Sequence, residues 1–343
     1  MSNIPRWLAI DIGGANLKVA DGLGYAASRR FELWRNPQGL SQAMRAMFAE
    51  APQCDRIVAS MTGELADCYA NRREGVLAIL AALEEAADGR HTRVYLTSGQ
   101  LVTPAVARRQ AHLAGASNWH ALASYLTGFL QADSGLLLDI GSTTTDILPL
   151  VRGTVLPPST DLQRLRSGQL VYTGVVRTPL CAVLPTVPYR GDELLMPHEF
   201  FATMRDVYVI LGDLPEDSVD CGTADERPAT KAASRARLGR SICADDIEFH
   251  HKDAVTIAKY AAQRQAMILV ERAQRVVAEM GSRPGCIVVS GQGEFLAKRV
   301  VQQLGYPDVP CISVAERLSK PVSLCAPAHA LAVLAQLAES AAA

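Results

Sequence analysis

One pattern occurs twice in this chain, 128 positions apart, and it limits the fold more than any other feature. Residues 10–18 read Ile-Asp-Ile-Gly-Gly-Ala-Asn-Leu-Lys, and residues 138–147 read Leu-Asp-Ile-Gly-Ser-Thr-Thr-Thr-Asp-Ile. Each copy runs from an apolar strand through an Asp into a Gly turn with small polar residues, and then into a second strand. The repeat predicts an internal duplication, in which two β-hairpins face each other across a cleft between related lobes.

The residue types in the two turns suit a phosphate group. Glycines let the backbone bend sharply and approach a ligand closely, and successive N–H groups in such a turn form a concave anion site. Short donor side chains lie beside them, and Lys18 adds a charge if the strand turns it toward the ligand. The predicted phosphate-binding residues are Gly13, Gly14, Asn16, Lys18, Gly141, Ser142, Thr143 and Thr144.

Three carboxylates, Asp11, Asp139 and Asp146, lie in the strands that flank the turns. They would repel a phosphate directly, so we expect them to hold Mg²⁺ through water or to accept a proton. Mg²⁺ is the predicted cofactor, with Asp11 and Asp139 as its ligands through water. These three residues and Glu64 are the candidate catalytic groups, and the sequence does not choose among them.

Further polar clusters follow other predicted strands. Residues 61–67 come after a buried strand, where open α/β sheets bind ligands, although Thr62 also suits the N-cap of a helix. Residues 290–294 form a Gly turn into a helix, which either binds an anion or only connects two elements. Residues 222–231 are either a lid or a surface loop. The candidate substrate-binding residues are Thr62, Asp67, Arg72, Arg177, Asp225, Gly291, Gln292 and Gly293.

The order of predicted elements extends the duplication beyond the hairpins. Both halves read as βββαβα, which predicts an α/β fold of two duplicated lobes with a cleft between them. The first lobe spans residues 1–132, and the second spans 133–343 with an insertion at about 157–250. The predicted strands lie at 7–11, 17–21, 26–33, 56–60 and 93–96 in the first lobe, and at 134–140, 145–151, 154–156 and 284–290 in the second.

Composition excludes several function classes. Lys and Arg number 34 against 35 Asp and Glu, and no long basic run occurs, so nucleic acid is not an expected partner. Eight cysteines are scattered without a C-x-x-C pair, so no zinc site of the usual spacing is expected. The sequence lacks a signal segment and a long apolar run, so we expect a cytoplasmic protein without membrane association. The oligomeric state is left open.

The doubled hairpin with a third Gly turn resembles the actin-like ATPase superfamily, whose lobes have a ribonuclease H-like fold. Within it, residues 139–146 resemble the hydantoinase/oxoprolinase branch. Residues 61–67, 71–76, 172–179 and 223–230 are similar to a family linked to tetrahydromethanopterin-dependent one-carbon transfer, whose archaeal members are methanofuran-forming synthases. The resemblance spans nearly the whole chain.

This resemblance implies a reaction and its partners. An aminomethylfuran methyl diphosphate is joined to the phenol of γ-glutamyltyramine, an aryl ether forms and diphosphate leaves; in a methylofuran pathway, tyrosine or a related phenol would replace tyramine. The hairpins would then hold a diphosphate leaving group. The implied partners are therefore a small-molecule diphosphate and a phenolic amine, and ATP is an alternative ligand that is not favoured.

Two other function classes are compatible with the hairpins. An ATP-using small-molecule kinase or a hydantoinase-type amide hydrolase would release ADP or phosphate and would need an adenine pocket near residues 291–294. The chain is far shorter than the large hydrolase subunits and lacks His clusters, which disfavours the hydrolase. A non-enzymatic actin-like scaffold would bind ATP and polymerise; the polar segment 62–67 and Asp225 disfavour it.

Overall fold

The computed structural model describes residues 6–154, 156–157 and 159–342, which contain thirteen strands. Those of the first half are β1 (Trp7–Ile12), β2 (Asn16–Ala20), β3 (Ala26–Arg30), β4 (Arg56–Met61), β5 (His91–Tyr95) and β6 (Leu101–Val102). Those of the second half are β7 (Ser134–Ile140), β8 (Thr145–Val151), β9 (Leu170–Val171), β10 (Thr186–Tyr189), β11 (Asp192–Leu195), β12 (Ile287–Ser290) and β13 (Cys311–Ser313).

The two main sheets share a five-strand topology, and the first has β6 as an additional antiparallel edge strand. The first has the order β3-β2-β1-β4-β5-β6, and the second has the order β13-β12-β7-β8-β9. In each sheet the first three strands of the half are antiparallel neighbours, and two later strands lie parallel on the other side of the opening strand. The repeated order confirms the predicted duplicated α/β fold. β10 and β11 form a separate two-stranded sheet.

Helices fill the connections between these strands. In the first half they are α1 (Leu40–Glu50), α2 (Arg72–Ala87), α3 (Pro104–Arg109), α4 (Ala111–Ala114) and α5 (Asn118–Leu126). In the second half they are α6 (Asp161–Ser167), α7 (Leu180–Val183), α8 (Met204–Leu211), α9 (Lys231–Arg240), α10 (His251–Met280), α11 (Glu294–Gln303), α12 (Val314–Arg317), α13 (Lys320–Leu324) and α14 (Ala326–Ala342). Among the described residues, no helix combines the length and apolar character that crossing a membrane requires.

The two halves exchange helices across the cleft. Trp119 and Leu122 of α5 pack with Leu137 and Leu148 of the second sheet. Leu331 of α14 and its alanine neighbours pack against the first sheet, although α14 is the last helix of the chain. Because apolar faces must be buried against another layer, this exchange joins the two sheets around the cleft.

One predicted strand of the second half is wrong. We predicted a third strand at 154–156, but Thr154 and Leu156 lie outside any strand, and Val155 is outside the described residues. The third strand of this sheet is β9, which follows α6 and lies within the predicted insertion. Proline follows at position 157, and a ring nitrogen without N–H does not support strand pairing there.

Candidate active site

A cavity of about 550 Å³ lies between the two sheets, and residues of both hairpins line it. Fifteen of the twenty predicted site residues are part of its lining. They are Asp11, Gly13, Gly14, Asn16, Lys18, Thr62, Glu64, Asp67, Asp139, Gly141, Ser142, Thr143, Thr144, Asp146 and Arg177.

The two turns that face this cavity have the same length and closure. In the first, the Gly13 N–H donates to the carbonyl oxygen of Asn16 at 3.0 Å; in the second, the Gly141 N–H donates to that of Thr144 at 2.9 Å. The Asn16 amide nitrogen also donates to the Ser142 hydroxyl at 3.4 Å. The tips of the two hairpins are therefore joined directly across the cleft.

Two backbone N–H groups of the second turn point away from residues 175–177, the segment that supports the turn. The carbonyls of Gly141 and Ser142 accept hydrogen bonds from the N–H groups of Val175 (3.1 Å) and Arg177 (2.9 Å). Because N–H and C=O point in opposite directions in a trans peptide, the N–H groups of Ser142 and Thr143 point away from this segment. Ser142 and Thr143 both line the cavity, so the turn offers a pair of donors to an anion there.

The first turn follows the same rule. The Leu33 N–H donates to the carbonyl oxygen of Gly14 at 3.0 Å, and the Phe31 N–H donates to that of Ala15 at 3.0 Å. The N–H of Ala15, in the peptide that follows Gly14, therefore points away from Leu33. Ala15 lines the cavity as well, so donors from both hairpins face it.

The segment that supports the second turn, residues 173–177, packs closely against the turn at Gly174. A Cβ on Gly174 would lie 2.6 Å from the carbonyl oxygen of Gly141 and equally close to the Thr143 nitrogen. The Gln265 amide nitrogen donates to the Gly174 carbonyl at 2.9 Å and to the Thr173 hydroxyl at 2.8 Å, and Gln265 is fully buried. The absence of a side chain at position 174 is therefore what lets this segment support the turn.

Asp11 and Asp139 occupy equivalent places in the two sheets. Ser60 lies beside Asp11 in the register of β1 and β4, and its hydroxyl donates to Asp11 Oδ1 at 3.1 Å. Ser290 lies beside Asp139 in the register of β7 and β12, and its hydroxyl donates to Asp139 Oδ1 at 2.5 Å. Asn118 also donates to Asp11 Oδ2 at 3.1 Å. Each carboxylate is thus held by a serine at the end of the neighbouring parallel strand.

The surroundings of these carboxylates favour protonation. Burial raises the pKa of Asp11, although Lys18 and the hydrogen bond from Asn118 oppose the shift. Burial and the neighbouring Asp146 raise the pKa of Asp139 to about 6. A carboxyl group with a pKa in this range can exchange a proton near neutral pH.

A guanidinium group neutralises Asp146. Arg164 of α6 donates to Asp146 Oδ1 and, at 3.2 Å, to Asp161 Oδ1. Its guanidinium carbon lies 4.3 Å from the ring centroid of Trp119, a distance suited to a cation–π contact. Burial raises the pKa of Asp146, while Arg164 opposes this shift. Arg164 and Trp119 both line the cavity.

The segment at Thr62 and the Gly turn at 291–293 are equivalent supports of the two hairpins. The Thr62 N–H donates to the Ile12 carbonyl at 2.9 Å, and the Gly293 N–H donates to the Ile140 carbonyl at 2.8 Å. Thr62 lines the cavity, whereas Gly291, Gln292 and Gly293 are not part of its lining. Gly291 has a φ of +90°, and a Cβ there would lie 2.4 Å from the Ile140 carbonyl oxygen.

Two further predicted substrate-binding residues, Arg72 and Asp225, also lie outside the cavity lining. Arg72 bridges Asp161, at 2.9 Å, and Glu64 Oε1, at 3.5 Å. Asp225 accepts a hydrogen bond from the fully buried Arg237 at 2.8 Å. Both side chains are therefore held by structural ion pairs.

Sequence reasoning missed several residues of the cavity wall. Trp34 is one of them. Its ring centroid lies 4.5 Å from the guanidinium carbon of Arg177, which the sequence did predict. The duplication is the one sequence signal for Ser60 and Ser290, because the two serines lie at equivalent positions of the two sheets. The missed residues that line the cavity or hold its carboxylates include Trp34, Ser60, Asn118, Trp119, Asp161, Arg164, Tyr172 and Ser290.

The predicted metal ligands allow only a restricted kind of site. Among the described residues, no cluster of three or more His, Cys, Asp or Glu side chains could enclose an ion. Mg²⁺ in phosphate sites is often bound by one or two carboxylates, with phosphates and water completing the shell. Asp11 and Asp139 lie in the cavity wall and fit a site in which the phosphates of a ligand and water complete the metal shell.

The fold and site define a two-lobed α/β protein in which paired Gly turns and buried carboxylates line one cavity. The model of the hydantoinase/oxoprolinase family matches residues 55–337, so the chain belongs to that family.

Two archaeal proteins are similar to this chain over much of its length. One from Methanocaldococcus jannaschii, named (4-{4-[2-(gamma-L-glutamylamino)ethyl]phenoxymethyl}furan-2-yl)methanamine synthase, is 31% identical over 332 residues, which are 96% of this chain and 97% of that protein. A protein of the same name from Methanococcus vannielii is 31% identical over 200 residues, which are 58% of this chain and 89% of that protein.

Solved structures that align with most of this chain have low sequence identity to it. Nucleotide-free acetone carboxylase has a TM-score of 0.49 at 15% identity, covering 92% of this chain and 51% of that one. The ethanolamine utilization protein EutJ from Carboxydothermus hydrogenoformans has a TM-score of 0.45 at 13% identity, covering 94% and 90%. The archaeal actin homolog Ta0583 has a TM-score of 0.43 at 11% identity, covering 94% and 98%.

Proposed function

We propose that this chain is a synthase of methanofuran or methylofuran assembly. It joins an aminomethylfuran methyl diphosphate to the phenol of a glutamyltyramine-type or tyrosine-type acceptor, forming an aryl ether and releasing diphosphate. The observation that carries the proposal is the 31% identity, over 96% of the chain, to the Methanocaldococcus jannaschii synthase. The name of that protein describes a product with a phenoxymethyl link to a furan.

The paired turns support a diphosphate as the leaving group. Each turn directs backbone N–H groups away from its supporting segment, and the Asn16–Ser142 contact places the tips side by side. A hydrogen bond to a charged group contributes about 1.5–3 kcal/mol, so several of them would account for micromolar binding, which needs about 8 kcal/mol. In this proposal the two turns together hold the two phosphoryl groups.

The bond changes are balanced within the two substrates. The phenol oxygen attacks the furan methylene carbon, the bond from that carbon to the diphosphate oxygen breaks, and the phenol proton passes to a carboxylate of the cavity. Asp139, Asp11, Asp146 and Glu64 are the candidates for that proton transfer. Donors fixed toward the departing oxygen stabilise the negative charge that develops on it.

Mg²⁺ fits this proposal as a cofactor held through water by Asp11 and Asp139. When bound, it would offset negative charge on the diphosphate. The protein itself supplies the other contributions to catalysis. The turns bind and orient the diphosphate, and Lys18 and Arg164 offset the negative charge of the buried carboxylates.

The direct test is to incubate the purified protein with the furan diphosphate and with either γ-glutamyltyramine or tyrosine, with and without Mg²⁺. The proposal predicts equal amounts of diphosphate, measured by ion chromatography, and of ether, measured by mass spectrometry. ATP turnover without ether formation would instead favour the kinase or amide-hydrolase alternative. Nucleotide binding with filament formation would favour the scaffold alternative.

A further inference from the structure

Glu64 is a buried carboxylate, and one of its oxygens is unpartnered within the part of the chain that the structure describes. The residue is 1% exposed and lines the cavity between the lobes. Its Oε1 lies 3.5 Å from Arg72 Nε, and its Oε2 has no hydrogen-bond partner among the described residues. Buried polar atoms are normally paired, so an orphaned carboxylate oxygen beside a cavity points to a partner that arrives with a ligand.

The charges around Glu64 indicate the sign of that partner. An alternating chain of ion pairs runs from Glu64 to Arg72, then to Asp161, Arg164 and Asp146. It contains three carboxyl groups and two guanidinium groups, so it lacks one positive charge when all three carboxyl groups are ionised. In the free protein burial raises the pKa of Glu64 to about 7, so a proton on Glu64 takes the place of that charge until a cation binds. The unpartnered oxygen lies at the Glu64 end of the chain, where a cation would complete the alternation.

Two glycines, Gly75 and Gly115, let the neighbouring backbone pack closely against Glu64. A Cβ on Gly115 would lie 2.9 Å from Glu64 Oε1, and a Cβ on Gly75 would lie 2.1 Å from the Glu64 carbonyl oxygen. Both glycines therefore let neighbouring elements close on Glu64, which fixes its backbone and its carboxylate. A carboxylate fixed in this way is suited to recognise one small group.

Glu64 also lies near the first hairpin. Thr62, two residues earlier, has its hydroxyl 3.6 Å from where a Cβ on Gly13 would lie. Two residues of extended chain span at most about 7 Å. Glu64 and the first turn line the same cavity, so a ligand whose phosphate lies in the turn can extend along this wall toward Glu64.

We propose that Glu64 binds the primary ammonium group of the furan substrate while the hairpins bind its diphosphate. This inference rests on the proposed function and deepens it, because it assigns Glu64 to the aminomethyl end of the substrate and leaves Asp11, Asp139 and Asp146 as the candidates for the phenol proton. The ammonium group donates to Oε2 and supplies the positive charge that the chain of ion pairs lacks. Substrates that carry no cation at this end are rejected, since Oε2 would remain buried and unpaired.

The test compares two diphosphates by calorimetry in the absence of phenol: the aminomethylfuran compound and its analogue with methyl in place of aminomethyl. Wild-type protein is expected to bind the amine about 10- to 100-fold more tightly, the range of one hydrogen bond between charged groups. Glu64→Gln is expected to reduce this preference to less than about threefold. The matched control is Glu74→Gln, which removes an exposed carboxylate of the same region and should keep the full preference.

A second variant keeps the charge and moves it. Gly115→Ala displaces the Glu64 carboxylate without neutralising it, and it is also expected to reduce the preference for the amine. A preference that survives in both Glu64→Gln and Gly115→Ala overturns the inference, and so does wild-type protein that binds both compounds equally or neither. Ether formation on addition of phenol is scored separately: its absence sinks the proposed function, while a preference for the amine that depends on Glu64 still supports the ammonium site.

Discussion

Lys18 and Asp146 occupy the same position in the two hairpins of this protein. Lys18 lies opposite Asp11 in the register of β1 and β2, and Asp146 lies opposite Asp139 in the register of β7 and β8. The hairpins therefore match in geometry and differ in charge. This difference predicts that Lys18 adds a positive charge on the first-hairpin side of the diphosphate that both turns hold, while the second hairpin provides the carboxylate pair.

Lys18→Met tests this asymmetry. Removal of the ammonium group should weaken binding of inorganic diphosphate by about tenfold or more, because a charged hydrogen bond is lost and Asp11 is left without its closest cation. Isothermal titration calorimetry measures the change. Lys252→Met, at an exposed lysine of α10, is the control and should bind as the wild type does. Unchanged binding in Lys18→Met would contradict the placement of the anion.

Gly174→Ala tests how the second turn is held. The new Cβ would overlap backbone atoms of Gly141 and Thr143 at 2.6 Å, so the turn must move and its N–H groups lose their alignment. We expect diphosphate affinity to fall by at least about tenfold and the protein to lose about 1–3 kcal/mol of stability. Gly128→Ala is the control, because no atom lies within 4 Å of its Cβ position. Normal binding by Gly174→Ala would show that the turn does not need this close support.

The pH dependence of the reaction tests Asp139. Burial and Asp146 raise the pKa of Asp139 to about 6, so its carboxylate is formed above that pH and lost below it. Lys18, Asp11 and the Ser290 hydroxyl also act on it. If the ionised form is required, kcat/KM rises with pH up to about 6 and then levels, and Asp139→Asn lacks this step. Asp246→Asn, at an exposed position, should keep the wild-type profile. A wild-type profile that is flat around pH 6 would contradict the role of Asp139.

The stability of the free protein should depend on Glu64. Burial raises the pKa of Glu64 from 4.5 to about 7, with a further contribution from Asp161, while the backbone N–H groups of Glu64 and Ala116 and the Arg72 guanidinium oppose the shift. Between these values the unfolded chain has lost the proton and the folded chain keeps it, so the free energy of unfolding falls as pH rises and the loss is complete above pH 7. At about 1.4 kcal/mol per pKa unit, this amounts to about 3 kcal/mol.

Urea unfolding at pH 4.5 and pH 8 measures this effect. Glu64→Gln carries no proton to lose, so its stability relative to the wild type should increase by about 3 kcal/mol between the two pH values. Glu74→Gln should follow the wild type at both. A difference between Glu64→Gln and the wild type that does not change with pH would mean that Glu64 ionises normally in the folded protein.

The sequence predicted the parts of the fold that repeat. Two copies of the Asp-Gly hairpin, each followed by a parallel strand, were sufficient for the duplicated α/β topology and for the part of the cavity lining that the hairpins form. The third strand of the second sheet was missed because β9 has two residues and follows α6 after a gap. Its place in the sheet is set by pairing with β8, which a local pattern does not reveal.

The side chains that control charge in the cavity were harder to predict. Arg164 belongs to a short helix with no distinctive motif, and its role depends on reaching Asp146 and Trp119 in the folded chain. Asp225 was predicted within a segment that was either a lid or a surface loop, and Arg72 within a segment of the family resemblance, but both are held by ion pairs within the protein. Burial decides between these outcomes, and burial depends on tertiary structure.

The most direct test of the central claim uses an acceptor phenol labelled with oxygen-18. The account predicts that the label appears entirely in the aryl ether and that the released diphosphate carries none, because the bond between the furan methylene carbon and the diphosphate oxygen is the one that breaks. Label in a phosphate ester of the phenol, or consumption of ATP with no ether formed, would contradict the claim that the paired hairpins hold a diphosphate leaving group.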